Sequence, residues 1–302
     1  MKYKQLGRTG LLVSELCFGT MTFGGRGFWS SIGQLPQDAA DNLVGRVLEA
    51  GVNFIDTADV YSEGESEKML GKALGNRRKD VVLATKVFGR MGPGPNQTGL
   101  SRSHIMQAVE DSLTRLGTDY IDLYQIHRWD YHTPIEETLE ALHDLVKSGK
   151  VRYIGASSMW AWQFAKAQHT AQSNGWVRFV SMQNHYNLIY REEEREMIPL
   201  CRDLGVALIP WSPLARGFLV GNRTPDDVTA GRTPRAKSDE YARKLYYREA
   251  DFAVVNRLSE LAARRGESNA KIGYPWLLHQ PGLAARIVGA SQIAHIEPGV
   301  AA

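Results

Sequence analysis

Four side chains that could handle a proton stand at the ends of short apolar segments of this chain. Asp56 and Lys86 each end such a segment. Tyr61 follows Asp56 by five residues, and His127 directly follows a third segment. A lysine ammonium stabilises a neighbouring phenolate and so lowers the pKa of the phenol, while an aspartate would keep the lysine charged. These residue types predict a site where Tyr61 donates a proton near neutral pH and His127 binds a substrate oxygen.

The apolar segments have the composition of strands that are buried on both faces. Eight of them follow in order, at 15–19, 52–56, 81–86, 121–126, 151–155, 178–182, 206–210 and 286–289. Dense runs of β-branched and apolar residues are typical of parallel strands covered on both sides. Most of these strands begin 27 to 40 residues apart, which is the length of one strand–helix unit.

Helical patterns fill the intervals between the predicted strands. Apolar residues recur at helical spacing over 102–116 and 135–147. Ser66 is predicted to cap a further helix that ends before Gly75. Residues 213–248 are polar and rich in Gly and Pro, so we expect a long loop there, followed by a helix at 249–264.

Eight strand–helix units predict an α/β fold, and specifically a closed (β/α)₈ TIM barrel rather than an open doubly wound sheet. The sequence has no GxGxxG motif after the first strand, which also favours the barrel. Residues 3–13 are predicted to form an N-terminal β-hairpin that plugs the bottom of the barrel. With no linker or repeat in the sequence, residues 1–302 are predicted to be a single domain. Only eleven residues follow Ser291, so the last helix is expected to be short.

Composition limits the classes of function. Hydrophobic residues make up 43% of the 302, which excludes global disorder. No apolar run is long enough to span a membrane, and the first residues lack the apolar core of a secretory signal. Cys17 and Cys201 stand alone without metal-ligand spacing, so we expect a reducing, cytoplasmic location and no metal. The net charge of +3 does not predict nucleic acid as a partner, but it suits a phosphorylated cofactor.

In a barrel of this kind, chemistry takes place at the carboxyl ends of the strands. Neighbouring strand ends lie about 5 Å apart, so Asp56, Tyr61, Lys86 and His127 could meet over the mouth. Each has a plainer interpretation when taken singly: a turn aspartate, a packing tyrosine, a surface lysine and a structural histidine. Their arrival together at successive strand ends favours a catalytic group.

The segment Asn53-Phe54-Ile55-Asp56-Thr57-Ala58-Asp59-Val60-Tyr61 resembles the signature of the aldo-keto reductase superfamily. Further matching segments are Gly7–Ser14, Ala84–Lys86, Gln125–His127, Ile154–Ser157 and Trp211–Leu214. The last two are similar to the branch that holds potassium-channel β subunits and aryl-alcohol dehydrogenase-like reductases. The resemblance runs from Leu6 to about Gly289. It implies NADPH-dependent reduction of an aldehyde or ketone, with Tyr61 as the proton donor, Lys86 and Asp56 tuning it, and His127 positioning the oxygen.

The resemblance also implies a cofactor site, with NADPH expected and NADH as the alternative. Its residues are Gly19, Thr20 and Met21 after the first strand, Asp56, Ser157, Ser158 and Gln183 near the nicotinamide, Trp211 beneath its ring, Ser212, Leu214, Arg216 and Gly217 around the pyrophosphate, and Gly289, Ser291 and His295 at the adenosine end. The chain departs from the family pattern at Gln292, where a basic residue is frequent, and at Pro298-Gly299, where a Glu-Asn pair is usual.

The partner is expected to be a small carbonyl compound, and oligomerisation stays open. Phe23, Phe28, Trp29 and Trp129 are expected to shape a pocket for an apolar or aromatic carbonyl, and Arg128 could attract an acidic group. Two other functions remain open at this point. One is a lyase or aldolase that forms a Schiff base through Lys86, and the other is a nucleotide-sensing binding subunit with little turnover.

Overall fold

A computed structural model describes residues 1–225 and 239–300, and its centre is a barrel of eight parallel strands. The barrel strands are β3 (Leu16–Gly19), β4 (Phe54–Asp56), β5 (Val82–Val87), β6 (Ile121–Ile126), β7 (Val151–Ser157), β8 (Ser181–Gln183), β9 (Ala207–Leu208) and β10 (Arg286–Gly289). They pair in chain order, and β10 lies beside β3. Backbone bonds from Ala284 N to Leu208 O and from Ile287 N to Pro210 O, both 3.0 Å, join the last two strands. The predicted (β/α)₈ fold is confirmed.

The predicted N-terminal hairpin is also confirmed. Strands β1 (Tyr3–Gln5) and β2 (Leu12–Ser14) pair antiparallel. Leu6 and Val13 are fully buried and join the core that fills the amino-terminal end of the barrel. The hairpin therefore closes the end of the barrel opposite to the predicted mouth.

Helices surround the barrel and cover the outer face of the strands. They are α1 (Gln37–Glu49), α2 (Glu65–Leu74), α3 (Arg102–Leu116), α4 (Ile135–Lys147), α5 (Ala161–Ser173), α6 (Met197–Leu204), α7 (Glu240–Leu245), α8 (Glu249–Arg265), α9 (Asn269–Leu278) and α10 (Glu297–Val300). In α4 the residues at helical spacing, Ile135, Leu139 and Leu142, are all buried, which is the packing that the periodicity predicts. No helix within residues 1–225 and 239–300 is both long and apolar enough to cross a bilayer.

Two local predictions need correction. Helix α2 begins at Glu65 after Gly64, so Ser66 lies inside its first turn and does not cap it. The Ser66 hydroxyl instead donates to Thr20 O (2.9 Å) and contacts Thr57 Oγ1 (3.1 Å), which ties together two loops at the barrel mouth. Gly75 follows the end of α2 as predicted, with φ at 47°.

The segment predicted as a long loop is partly helical. Ala215–Val220 forms a 3₁₀ helix and Glu240–Leu245 forms α7, while 226–238 lies outside the described residues. The carboxylate of Asp239 accepts a hydrogen bond from Ala242 N (3.0 Å) and caps α7, although the polar composition hid this helix. The following helix, α8, is confirmed at Glu249–Arg265, and α10 is short as expected.

Candidate active site

Lys86 lies at the centre of the barrel mouth and has no exposed surface. Its Nζ donates to Asp56 Oδ1 (2.5 Å), to the backbone oxygen of Thr57 (2.8 Å) and to the Tyr61 hydroxyl (3.2 Å). An ammonium has three N–H donors, so these acceptors satisfy it completely. The structure thus brings Asp56, Tyr61 and Lys86 into one hydrogen-bonded group.

The strand register places these side chains on the inner face of the barrel. Lys86 on β5 pairs with Gln125 on β6, and Asp56 on β4 pairs with Ala84 on β5. Side chains alternate between the two faces of a strand, so residues in register share a face. Gln125 is consequently a member of the site, although it was not predicted as one.

The carboxylate of Asp56 is held by two buried amides as well as by Lys86. Gln125 Nε2 and Gln183 Nε2 donate to its Oδ2 at 3.0 and 2.8 Å. Gln183 Nε2 also lies 3.2 Å from Gln125 Oε1. The amide nitrogen of Gln183 therefore faces Asp56, and its oxygen accepts no hydrogen bond from the described residues. Asp56 acts here by fixing the ammonium of Lys86.

A strained turn presents Tyr61 to the mouth. The 3₁₀ turn Tyr61–Gly64 holds Ser62 and Glu63 in the left-handed region, at φ 51° and 58°. Such a conformation costs about 1–2 kcal/mol for each residue with a side chain. The Ser62 hydroxyl offsets part of this cost because it donates to Phe23 O (2.7 Å) and accepts from Gly25 N (2.9 Å). The loop after β3 thus fixes the turn that carries Tyr61.

Burial and charge act in opposite directions on the Tyr61 proton. Burial raises the pKa of Tyr61 more than the ammonium of Lys86 lowers it, so the pKa lies above its usual value of 10.0. The influence of Lys86 has the predicted sign, but the prediction of a net lowered pKa is wrong because desolvation is larger. Burial lowers the pKa of Lys86, but the charge of Asp56 and the hydrogen bonds and electrostatic contacts with Asp56 and Tyr61 together outweigh it, so the net pKa is raised. Lys86 stays an ammonium and Tyr61 keeps its proton.

His127 stands edge-on to Tyr61, with ring centroids 5.8 Å apart and planes at 79°. Burial lowers the pKa of His127 well below its usual value, and the charges of Lys86 and Arg128 lower it further. The imidazole is therefore neutral and keeps one N–H donor beside the phenol. All four predicted catalytic residues lie together at the mouth.

Aromatic side chains form a rim on the loops that follow β3, β6 and β7 at the mouth. The ring centroids of Trp29 and Tyr61 are 4.8 Å apart, and those of Trp129 and Trp162 are 6.2 Å apart. Phe28 and Trp160 are 72% and 66% exposed. The expected place of Phe23 in this rim needs correction, because Phe23 is fully buried against Phe18.

Trp211 belongs to a stack of three rings that sequence reasoning missed. The His185 ring lies parallel to Trp211 (4.2 Å, 9°) on one side and to Tyr190 (4.1 Å, 16°) on the other. Trp211 Nε1 donates to Ser158 Oγ (3.1 Å), and Ser158 is held in the left-handed region at φ 43°. The plane of Trp211 is therefore fixed before any ligand binds.

The edge of His185 is fixed by a buried polar cluster. His185 Nε2 lies 2.6 Å from the Tyr246 hydroxyl, and Asn187 Nδ2 lies 3.2 Å from that hydroxyl and 3.0 Å from Ser212 O. Burial, with a smaller contribution from Arg216, lowers the pKa of His185 to about 3, while burial raises that of Tyr246. Tyr246 thus donates to a neutral imidazole. The sequence gives only a weak signal for this cluster, because Tyr246 is 61 residues from His185 along the chain.

The chain after β9 carries an arginine donor that suits a pyrophosphate, while the backbone N–H groups of Ala215 and Gly217 donate to Ser212 O and Leu214 O (both 2.9 Å). Ala215, Arg216 and Gly217 have left-handed backbones, at φ 49°, 55° and 91°. Arg223 Nη2 donates to Arg216 O (3.2 Å), and its buried Nη1 has no partner among the described residues. Arg216 Nε, in contrast, is bound by both carboxylate oxygens of Asp239, at 2.9 and 3.1 Å. Arg223 thus fits a phosphorylated cofactor, and it is a donor that was not predicted.

Several other predicted cofactor residues are committed to contacts within the protein. The Thr20 hydroxyl is buried 2.8 Å from Ser66 Oγ, so its side chain supports the loop. Ser157 Oγ donates to Gln183 O (2.9 Å) and is buried as well. Gly19 leaves no room for a side chain, since a Cβ there would lie 2.8 Å from Ile287 Cγ2.

The remaining predicted cofactor residues keep exposed surface. Met21, Ser212, Leu214 and Gly217 are partly exposed, and Gly289, Ser291 and His295 are exposed. At the end of β10, Ser291 Oγ lies 3.3 Å from His295 Nδ1. A hydroxyl and an imidazole thus meet where the adenosine end was predicted.

Comparison with known proteins gives one consistent family. A model of the aldo/keto reductase family matches residues 15–302. Versiconal hemiacetal acetate reductase of Aspergillus parasiticus is 42% identical, covering 100% of this chain and 92% of that protein. An aldo-keto reductase of Alternaria alternata is 41% identical over 98% and 85% of the two chains. A Schizosaccharomyces pombe protein named as an aryl-alcohol dehydrogenase is 41% identical over 99% and 90%.

The family model covers almost the whole chain, and the similar proteins align over nearly their full lengths. The barrel and the group of Asp56, Tyr61 and Lys86 agree with this assignment. The chain belongs to the aldo/keto reductase family and is an NAD(P)H-dependent oxidoreductase that acts on small carbonyl compounds.

Proposed function

We propose that this protein reduces aldehydes or ketones to alcohols with NADPH and that Tyr61 supplies the proton. The observation that carries the proposal is the 3.2 Å contact between Lys86 Nζ and the Tyr61 hydroxyl. It joins a proton donor to a buried cation that can stabilise the phenolate left behind. The 2.5 Å pair between Lys86 and Asp56 keeps that cation in place.

NADPH, when bound, would supply the hydride. The exposed surface of Trp211 offers a flat aromatic ring for the nicotinamide, and the amide oxygen of Gln183, which accepts no hydrogen bond from the described residues, is available to its carboxamide. Arg223, whose buried Nη1 has no partner among the described residues, would hold the pyrophosphate. Ser291 and His295 support a site for a 2′-phosphate, which favours NADPH over NADH.

The protein's own residues manage the proton. A carbonyl oxygen placed against Tyr61 and His127 would accept hydrogen bonds from the phenol and from the neutral imidazole. As negative charge builds on that oxygen, Tyr61 gives up its proton and the phenolate is stabilised by Lys86. In alcohol oxidation the same groups act in reverse, and the phenolate takes the proton.

Aromatic carbonyl compounds are the substrates that the rim supports best. Trp29 contacts Tyr61 and Phe28 packs edge-on against Trp29, while Trp129 and Trp160 lie in the loops that follow β6 and β7. Flat rings pack well against such side chains. The name of one similar protein, an aryl-alcohol dehydrogenase, is in line with this choice.

Substitution of Tyr61 by Phe tests the proton donor. The variant keeps the ring that packs on Trp29 but has no proton to give, so the kcat for 4-nitrobenzaldehyde should fall by about 100- to 10,000-fold. NADPH affinity, measured by quenching of tryptophan fluorescence, should change by less than about threefold. A Tyr61→Phe enzyme that retains the wild-type kcat would overturn the assignment.

The alternative functions make different demands on the site. A Schiff-base lyase needs Lys86 as a free amine, whereas its Nζ is bound by three acceptors and its pKa is raised. A binding subunit with little turnover would bind NADPH and reduce none of a panel of aromatic and aliphatic aldehydes. Loss of NADPH absorbance with any of these aldehydes would exclude it.

A further inference from the structure

The guanidinium of Arg128 is a charge at the barrel mouth that no carboxylate in the described parts of the chain balances. Asp56 and Lys86 form a pair, while Tyr61 and His127 are both neutral. Arg128 adds a positive charge directly after His127. No carboxylate within the described parts of the chain lies within 4.0 Å of its guanidinium. The nearest acid in sequence, Asp130, instead accepts from Leu100 N, His132 N and Thr133 Oγ1.

The guanidinium of Arg128 is folded back beside the catalytic histidine. Its Nη1 donates to His127 O at 2.6 Å, which uses one of its five N–H donors. The side chain is half-buried, and its remaining nitrogens make no hydrogen bond to the described residues. Its charge reaches the reacting groups, since it contributes to lowering the pKa of His127 and opposes the raised pKa of Tyr61.

We propose that Arg128 forms a subsite for a carboxylate carried by the carbonyl substrate, so that acidic aromatic aldehydes are preferred over neutral ones. This inference rests on the proposed carbonyl reduction. A planar guanidinium matches a carboxylate with two parallel hydrogen bonds, and the half-buried setting strengthens them. The aromatic rim would hold the ring of the same substrate, with its aldehyde group against Tyr61.

The test uses pairs of substrates that differ only in charge. Reduction of 2-, 3- and 4-carboxybenzaldehyde is compared with reduction of their methyl esters, using NADPH. The ester is intrinsically the more reactive aldehyde, so the informative quantity is the acid-to-ester ratio of kcat/KM and its change on mutation. For at least one position on the ring, Arg128→Gln should lower this ratio by about tenfold, the effect of one charge-assisted hydrogen bond.

Two further variants separate a binding role from a general loss of charge. Arg128→Lys keeps the positive charge but loses the planar pair of N–H donors. Its acid-to-ester ratio of kcat/KM should therefore lie between those of wild type and Arg128→Gln. Arg26 is also a cation of the loops at the mouth, but it is 3.4 Å from Glu65. Arg26→Gln should leave the acid-to-ester ratio unchanged. A ratio that is the same in wild type and in Arg128→Gln at all three ring positions would overturn the subsite.

A binding measurement distinguishes failure of the subsite from failure of the proposed function. Benzoate and benzamide are titrated calorimetrically into the protein in the presence of NADP⁺. Wild type should bind benzoate at least about tenfold more tightly than Arg128→Gln does, and both should bind benzamide alike. If no aldehyde is reduced but this difference appears, carbonyl reduction is wrong and the anion subsite stands. Equal benzoate affinity overturns the subsite whatever the turnover.

Discussion

Control of the Tyr61 proton is divided between burial and the ammonium of Lys86. Burial alone would make the phenol a poor acid, because phenolate is costly in a desolvated site. Lys86 reduces that cost, and Asp56 keeps Lys86 charged although it is fully buried. The net raised pKa of Tyr61 suits an acid that must remain protonated until the carbonyl oxygen becomes negative.

The pH dependence of carbonyl reduction follows from this raised pKa. The donor must be protonated, so kcat/KM should stay level from neutral pH up to the usual phenol pKa of about 10 and fall only above it. Removal of the cation in Lys86→Met should shift the fall to higher pH and reduce kcat by about 100-fold or more. The profile is measured from pH 6 to 11 with a neutral aldehyde. A fall centred near pH 8 in wild type would show that Lys86 outweighs burial.

The stack of Tyr190, His185 and Trp211, together with the Tyr246 hydroxyl that bonds to His185, connects three segments of the fold. His185 follows β8 and Trp211 follows β9, while Tyr246 lies just after α7. The neutral state of His185 matters, because an imidazolium at this position would repel the positive ring of NADP⁺. The stack therefore holds the aromatic surface on which we propose that the nicotinamide packs.

Substitution of His185 by Leu should weaken nicotinamide binding without affecting the adenosine end. An aromatic pair contributes about 0.5–1.5 kcal/mol beyond its buried area, so NADPH affinity should fall by about 2- to 10-fold. Binding of 2′,5′-ADP, which lacks the nicotinamide, should be unchanged. His169 is exposed on α5 and provides the control His169→Leu. An equal loss of affinity for both ligands would instead point to general disruption of the protein.

The local sequence predicts the strands and helices from their periodicity, and it predicts the catalytic group from the residues at the strand ends. Strand alternation and carboxyl-end position were enough to bring Asp56, Lys86 and His127 together. The expected place of Phe23 in the rim failed because a hydrophobic residue after a strand can face either the core or the mouth. His185 and Arg223 were missed because their partners, such as Tyr246, are fixed only by the folded chain.

The two ends of the barrel have different roles, one holding the candidate active site and the other the hairpin that closes the barrel. The proposed catalytic groups occupy the carboxyl ends of the strands, whereas the β1–β2 hairpin seals the opposite end. At that end the backbone of Gly7 lies against two other loops. It has φ at 62°, and a Cβ there would lie 2.7 Å from Gly205 O and 2.8 Å from Val180 O. Only glycine allows this close approach.

Substitution of Gly7 by Ala should therefore destabilise the protein while leaving its chemistry intact. The left-handed backbone and the contact with two carbonyl oxygens together should lower the free energy of unfolding by about 2–5 kcal/mol. Gly10 lies in the same hairpin, and a methyl group added there would have nothing within 4 Å, so Gly10→Ala should cost less than about 0.5 kcal/mol. Urea denaturation measures both values. If the two variants lose equal stability, close packing of the hairpin against the barrel does not account for the glycine. If kcat per folded molecule falls only in Gly7→Ala, the closed end and the catalytic mouth are coupled through the strands that join them.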